Sequence, residues 1–534
     1  MRLRSSGFLK WSSLPLEIRR MILNTIVDLK NPRWSDLASV SKEWQSVIGA
    51  RNMAKLKLRS PPCFEGLGII ARQRHLVRHI YLSIDLPTYN CALCRRRAWH
   101  PRCNGNDVVT SRAIRTVLSI LATWKTTGPL TLELNATSVS DTEHWAKNFR
   151  FDDDHDACYQ NSTASETGWH DPAHGWENGF QVKPPSFFAM QQLFGPVALD
   201  KALHPKTRLN VTAVTCLMIR RQFRRCLVPS SLDMLLAQLV CLTEIIYEPW
   251  SLSYTYATPW GYFESRQSAH PGVVGMPLPK TLKKLTVFRD SVDYLTQCVG
   301  RDSNYRLMMN DRYYRNIDNI SNNSHNLAQL SLRLEKLAVS FLIDAGDFFA
   351  ACGEEWTWNH LQSLALTSRI LQSGKSREVE INDLLLTTAR VALRMPMLET
   401  MVIWSGNCGS ACAFIYTRKE YCAHAIWRGT WDLDISPKVL DVWTHIGKLR
   451  SLEVEIRHEP LILRSGRRVS FQDAANHAEA AQEEASRRYD EIIWARLNAP
   501  EEGPERARIV RAEAKASAAL NKANKILEKA QARL

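Results

Sequence analysis

A short apolar phrase, Leu-x-x-Leu-x-Leu, returns along this chain and narrows what the chain can fold into. It stands at Leu282/Leu285/Val287, Leu334/Leu337/Val339, Leu361/Leu364/Leu366, Leu398/Met401/Ile403 and Leu449/Leu452/Val454, with looser versions at Val77/Ile80/Leu82 and Leu242/Ile245/Tyr247. Its second half alternates apolar with polar residues, as a half-buried strand does, and the leading Leu tucks under the turn that enters the strand. Helical patterns precede several of these phrases: residues 111–124 before Leu130 to Leu134, 232–239 before Leu242, 381–393 before Leu398 and 439–446 before Leu449. Helix, short turn and strand in repetition give an α/β chain with parallel strands.

The same grammar resembles the degenerate leucine-rich-repeat arrays, and that resemblance implies an irregular leucine-rich-repeat-like solenoid across residues 58–465. The period is uneven, roughly thirty to fifty residues, and a generic α/β layer fold accommodates the same letters. The polar stretch 138–206 has no period and reads as a long surface insertion. Within it, Asp152-Asp153-Asp154-His155-Asp156 lacks the ligand spacing and closing Glu of a calcium loop and reads as a solvated acidic loop. Residues 470–534 form a charged helical tail rich in Ala, Glu, Arg and Lys. One segment is capped by Ser470-x-x-Asp473, and a second opens at Pro504-Glu505 after the break at Asn498-Ala499-Pro500.

Near the N-terminus, Pro15 suits a first helical turn, where its missing N–H has no intrahelical acceptor, and Glu17 follows where the helix dipole favours negative charge. Ile18, Ile22 and Ile26 recur at helical spacing, Leu23 and Val27 widen the stripe, and Asn31-Pro32 ends it. Ser35 is positioned to cap a second helix with Leu37, Val40, Trp44 and Val47/Ile48 on one face. So short a segment buries little alone, so its apolar faces call for a partner or the domain that follows.

The order Leu14-Pro15-Leu16-Glu17-Ile18, a helix, then Leu37-Ala38-Ser39-Val40-Ser41-Lys42-Glu43-Trp44 resembles the F-box. Phrases such as Tyr247-Glu248-Pro249-Trp250 and Ile403-Trp404-Ser405-Gly406 resemble fungal members of that family. The resemblance covers residues 8–57 and implies an N-terminal three-helix module whose Leu14, Pro15, Glu17, Ile18, Ile22 and Leu23 meet a Skp-family adaptor. Val40 and Trp44 match the later motif that packs the helices together. It further implies a substrate-recognition adaptor of an SCF-type cullin-RING ubiquitin ligase: non-catalytic, without cofactor, and bringing a protein substrate to the cullin scaffold. An ordinary helical hairpin capping the next domain, or a repeat-type scaffold outside any ligase, are the alternatives on the residues alone.

The 534 residues carry a formal charge of +15, which raises the question of nucleic acid. The clusters Arg95-Arg96-Arg97 and Arg220-Arg221-Gln222-Phe223-Arg224-Arg225 contain a single aromatic residue, short of a base-stacking platform, so nucleic acid is not favoured. No apolar run has the length of a membrane span or a secretion signal, and the thirteen cysteines are scattered, so a cytoplasmic or nuclear chain with reduced thiols is expected. Among them Cys91-x-x-Cys94, with His100 and Cys103 close behind, is a candidate zinc-ligand set, although the spacing departs from a zinc knuckle and reduced loop cysteines explain the same letters. Cys408-Gly409-Ser410-Ala411-Cys412 reads as a glycine turn rather than a protease nucleophile, because no orienting partner accompanies it.

Overall fold

The computed structural model describes residues 11–29, 34–60, 73–94, 105–125, 128–147, 170–178, 180–181, 183, 185, 187–199, 208–251, 273, 276–291, 317–372, 374, 377–407, 410–419, 422–450, 452–460, 482, 486–493 and 504–531. Among the described residues, twelve strands belong to one mixed, mostly parallel sheet and pair in the order in which the chain makes them. They are β1 Lys55–Ser60, β2 His79–Asp85, β3 Thr131–Thr137, β4 Cys216–Ile219, β5 Glu244–Tyr247, β6 Lys284–Phe288, β7 Lys336–Asp344, β8 Ser363–Thr367, β9 Thr400–Asn407, β10 Ser410–Arg418, β11 Cys422–Gly429 and β12 Glu453–Pro460. The chain divides into two compact units, Met1–Thr367 with Arg390–Met401, and Ser368–Ala389 with Val402–Leu534.

In the first unit, β1 to β8 are parallel, and their register stacks like with like. Leu56, Ile80, Leu132, Leu217, Ile245, Leu285, Leu337 and Leu364 form one row across the strands; Leu58, Leu82, Leu134, Ile219, Tyr247, Val287, Val339 and Leu366 form the next. From Leu58 and Ile80 onward, every member of these rows is buried. The leading residues of the phrases in this unit are buried as well: Val77, Leu242, Leu282, Leu334, Leu361 and Leu398 are at most 2 % exposed. A side chain tucked beneath the incoming turn shields the row behind it, so the phrase is a packing unit as well as a strand signal. In the second unit, β10 and β11 are antiparallel, with Phe414 opposite Trp427, and β12 runs parallel to β11. Phe414, Tyr416 and Trp427 are buried there with Trp443 of the helix Pro437–Leu449.

The architecture corrects the expectation of a three-helix module followed by a leucine-rich-repeat-like solenoid. Among the described residues, the stretch 11–54 holds two α-helices, α1 Leu16–Leu29 and α2 Lys42–Ala54, with 3-10 turns at Trp11–Ser13 and Trp34–Ser39. No loop separates α2 from β1, which pairs with β2 over six residues, so this segment supplies the sheet's first strand and is not detached from it. The helix-strand alternation also fails at β10 and β11, where an antiparallel pair makes the sheet mixed. The phrase at Leu449 departs from the rest: Leu449 is 64 % exposed. In the tail, a helix spans Pro504–Gln531 as expected, whereas Ser470 and Asp473 lie outside the described residues. No helix among the described residues is long and apolar enough to cross a membrane.

Candidate functional site

Two places are candidates for a functional site, both in the first unit. The first is α1. It begins one residue after Pro15, and its side chains sort into two faces at 100° per residue. Leu23 and Val27 are buried, as is Ile48 of α2. Ile18, Met21, Ile22 and Leu29 gather on the opposite face and are exposed by 41, 63, 36 and 63 %. Leu14 is half-buried, Pro15 and Glu17 are exposed, and Leu16 is 43 % exposed.

The second helix starts later than expected. Ser41, not Ser35, is its cap: the Ser41 hydroxyl accepts from Trp44 N at 3.3 Å, while 34–39 is a 3-10 turn. Val40 therefore sits outside α2 and is 58 % exposed, so it does not pack the helices together. Trp44 does pack, with its ring 5.5 Å from that of Trp11. Trp11 Nε1 donates to Glu43 Oε2 at 3.0 Å, and Arg19 reaches the same oxygen at 3.2 Å, tying the entering turn, α1 and α2 together.

The second place is a cluster of sulfur and imidazole. Asn90 caps the short helix α3 Cys91–Cys94, its Oδ1 accepting from Ala92 N and Leu93 N at 3.1 and 3.2 Å. His144 follows the one-turn helix α4 Ser140–Glu143, and His174 ends the 3-10 turn Pro172–His174. Cys91 Sγ lies 3.6 Å from His144 Nδ1, His144 Nδ1 lies 3.2 Å from His174 Nε2, and Cys94 Sγ lies 3.4 Å from His174 Nε2. The donor atoms of Cys91, His144 and His174 all fall within 4.8 Å of one another. Cys94, His144 and His174 are buried; Cys91 is exposed.

The far side of each imidazole is occupied. His144 Nε2 donates to the Tyr89 carbonyl at 3.1 Å, and His174 Nδ1 donates to Asp171 Oδ2 at 2.7 Å. Burial lowers the His174 pKa, against the pull of Asp171, so the ring is neutral at neutral pH. Partial burial works to raise the Asp171 pKa, but hydrogen bonds from His174 and Lys147 outweigh it and hold the carboxyl below its usual range. Gly175, at φ +76°, turns the chain after His174, and a Cβ there would collide with the Lys183 carbonyl.

A buried ion pair sets the frame. Arg225 and Asp141 meet through two parallel hydrogen bonds, at 2.8 and 3.2 Å, with side chains 2 and 0 % exposed. Asp141 also accepts from Ser138 N and from the Tyr89 hydroxyl, each at 3.1 Å. Burial, then the Asp141 charge, raises the Tyr89 pKa and keeps that hydroxyl a donor. One carboxylate thus fixes both α4, which delivers His144, and Tyr89, whose carbonyl orients it.

Residues 277–483 match the model of a family of unknown function, DUF6546. No curated protein and no solved structure matches the chain. The matched span runs from β6 to β12, so neither α1 nor the sulfur-imidazole cluster falls in it.

The sequence reading placed Cys91 and Cys94 in one ligand set with His100 and Cys103; these last two lie outside the described residues. His144, His174 and Asp171 are distant along the chain, 53 residues separating Cys91 from His144 and 80 separating Cys94 from His174, while Tyr89, two residues before Cys91, acts through its carbonyl, which no side-chain pattern reveals. The Asp171-Pro-Ala-His174-Gly175 turn inside an otherwise featureless polar stretch was the available signal. That stretch is not simply surface, since Ala146, His174, Trp176, Phe194 and Val197 are buried; its acidic run 152–156 lies outside the described residues. The basic cluster at 220–225 is also reassigned: Arg224 and Arg225 are buried, and Arg220 and Arg221 face Glu133 and Glu248. Cys412 is buried and its pKa is pushed up to about 12, the opposite of an activated nucleophile. Cys94, His174 and Asp171 align as a nucleophile relay would, but Cys94 is 1 % exposed, leaving no approach for a substrate carbonyl.

Proposed function

We propose that this chain is a non-catalytic adaptor of an SCF-type cullin-RING ubiquitin ligase, docking on a Skp-family adaptor through α1 and holding a protein substrate on its sheet-bearing body. The supporting observation is the outward apolar face of Ile18, Met21, Ile22 and Leu29, on a helix whose other face is already buried. Four large apolar side chains on one side of a 14-residue helix form the kind of contiguous patch that marks an interaction surface. They lie in the segment whose order resembles the F-box, and at about 25 cal/mol per Å² their burial supplies a driving force for docking. Catalysis in this reading is tethering: holding substrate beside the charged enzyme raises effective concentration without a reacting side chain.

The test is co-purification of the full chain with a Skp-family adaptor. Replacing Leu14 and Pro15 together by Ala removes adaptor binding and leaves the thermal melt unchanged. Undiminished co-purification contradicts the proposal.

A further inference from the structure

We infer that Cys91, Cys94, His144 and His174 hold a structural zinc ion in a closed tetrahedral site that cross-links three separate stretches of the first unit. Each imidazole donates its one N–H outward, His144 to a backbone carbonyl and His174 to a carboxylate, neither of which can donate back. On the inner side His144 Nδ1 and His174 Nε2 face each other at 3.2 Å, and each has a thiol beside it, Cys91 at 3.6 Å from the first and Cys94 at 3.4 Å from the second. A metal ion among these four atoms would take the lone pairs of both nitrogens and, once the thiol protons leave, of both sulfurs.

The distances identify the cation. Zinc bonds of about 2.3 Å to sulfur and about 2.0–2.1 Å to nitrogen, at tetrahedral angles, separate neighbouring ligand atoms by ~3.3–3.8 Å. The nitrogen-nitrogen distance is 3.2 Å and two of the four sulfur-nitrogen distances are 3.4 and 3.6 Å; Cys91, His144 and His174 lie mutually within 4.8 Å, and Cys94, whose thiol donates to the Cys91 carbonyl, completes the set by turning toward the ion. Two thiolates and two imidazoles are a zinc donor set rather than one for magnesium or calcium. As the metal enters, each thiol releases its proton to solvent, and the two thiolates cancel the charge of the dication. With four protein ligands no position is left for water or substrate, so the ion is structural. The outer contacts fit as well: a carboxylate behind one ligating His and a carbonyl behind the other are the partners that orient zinc-bound imidazoles. The site would fasten the turn at 171–175 and the residue after α4 to α3.

The experiment measures metal in the purified full-length chain and loads it with cobalt. The expected result is about one zinc per chain by elemental analysis, falling to near zero in Cys91→Ser/Cys94→Ser and in His144→Gln/His174→Gln. His100→Gln/Cys103→Ser retains its zinc. Cobalt exchanged into the unaltered chain gives the strong visible bands of a tetrahedral site together with thiolate-to-cobalt charge transfer, a reading that does not depend on any variant folding. Absence of retained zinc and of those bands in the unaltered chain overturns the inference. Loss of zinc from the His100/Cys103 variant, or its retention in both ligand pairs' variants, overturns the ligand set.

Discussion

The apolar side chains of α1 and those of the sheet rows are alike in chemistry and opposite in fate. Leu285, Leu337 and Leu364 lie in register on parallel strands and are fully buried, whereas Ile18, Met21 and Ile22 look outward from a helix that buries Leu23 and Val27. The lesson is that periodicity tells which residues share a face and not whether anything covers it. The strand rows are covered, their residues from Leu58 and Ile80 onward being buried. A helix near the edge of the same unit has one face to spare, and the proposal assigns that face to a partner.

Substitutions on the two kinds of face separate them. The largest expected effect is in the sheet: Leu337→Ala empties a fully buried position and lowers stability in urea denaturation by about 2–5 kcal/mol, with adaptor affinity of the folded chain unchanged. Next is the converse variant. Ile18→Glu with Ile22→Glu weakens adaptor binding by at least thirtyfold, about 2 kcal/mol, in a calorimetric titration. Because both residues are exposed, the same variant shifts unfolding by no more than about 0.5 kcal/mol. If it unfolds the chain instead, the face was already covered and the contrast between the regions fails.

Smaller effects refine the boundary between them. Ser41→Ala removes the cap of α2 and costs about 1 kcal/mol of stability by denaturation. The smallest is a pH dependence on the sheet. Burial works to raise the Glu133 pKa, but His79, 2.6 Å away, and Arg220 outweigh it and hold the carboxyl below 4.5. Its contribution is therefore present above the unfolded value and lost as pH falls through the folded one. Glu133→Gln flattens the fall in stability below pH 4.5, as followed by acid titration of the far-UV signal.

How much was legible beforehand follows from the range of the forces involved. The strands were readable because each phrase packs locally, its leading Leu under its own turn, and it misleads only at Leu449, which stays in solvent. The start of α1 was readable from Pro15, but the start of α2 was not: Ser35 and Ser41 are equally good caps as letters, and only the 3-10 turn at 34–39 decides between them. The antiparallel pair β10 and β11 was missed because Phe414/Tyr416 and Ala423/Ala425/Trp427 alternate without a leading Leu. The cluster was half visible. Cys91-x-x-Cys94 is a local pattern, whereas His144 and His174 reach it only through the fold, and Arg225 reads as a surface charge until Asp141, 84 residues away, is seen beside it.

The account's central claim is that the outward face of α1 is unfinished surface. Hydrogen exchange of the full chain, with and without saturating Skp-family adaptor, tests it most directly. The account predicts added protection across Leu16–Leu29 with the strands of the sheet unchanged. Identical exchange over α1 in both samples would contradict it.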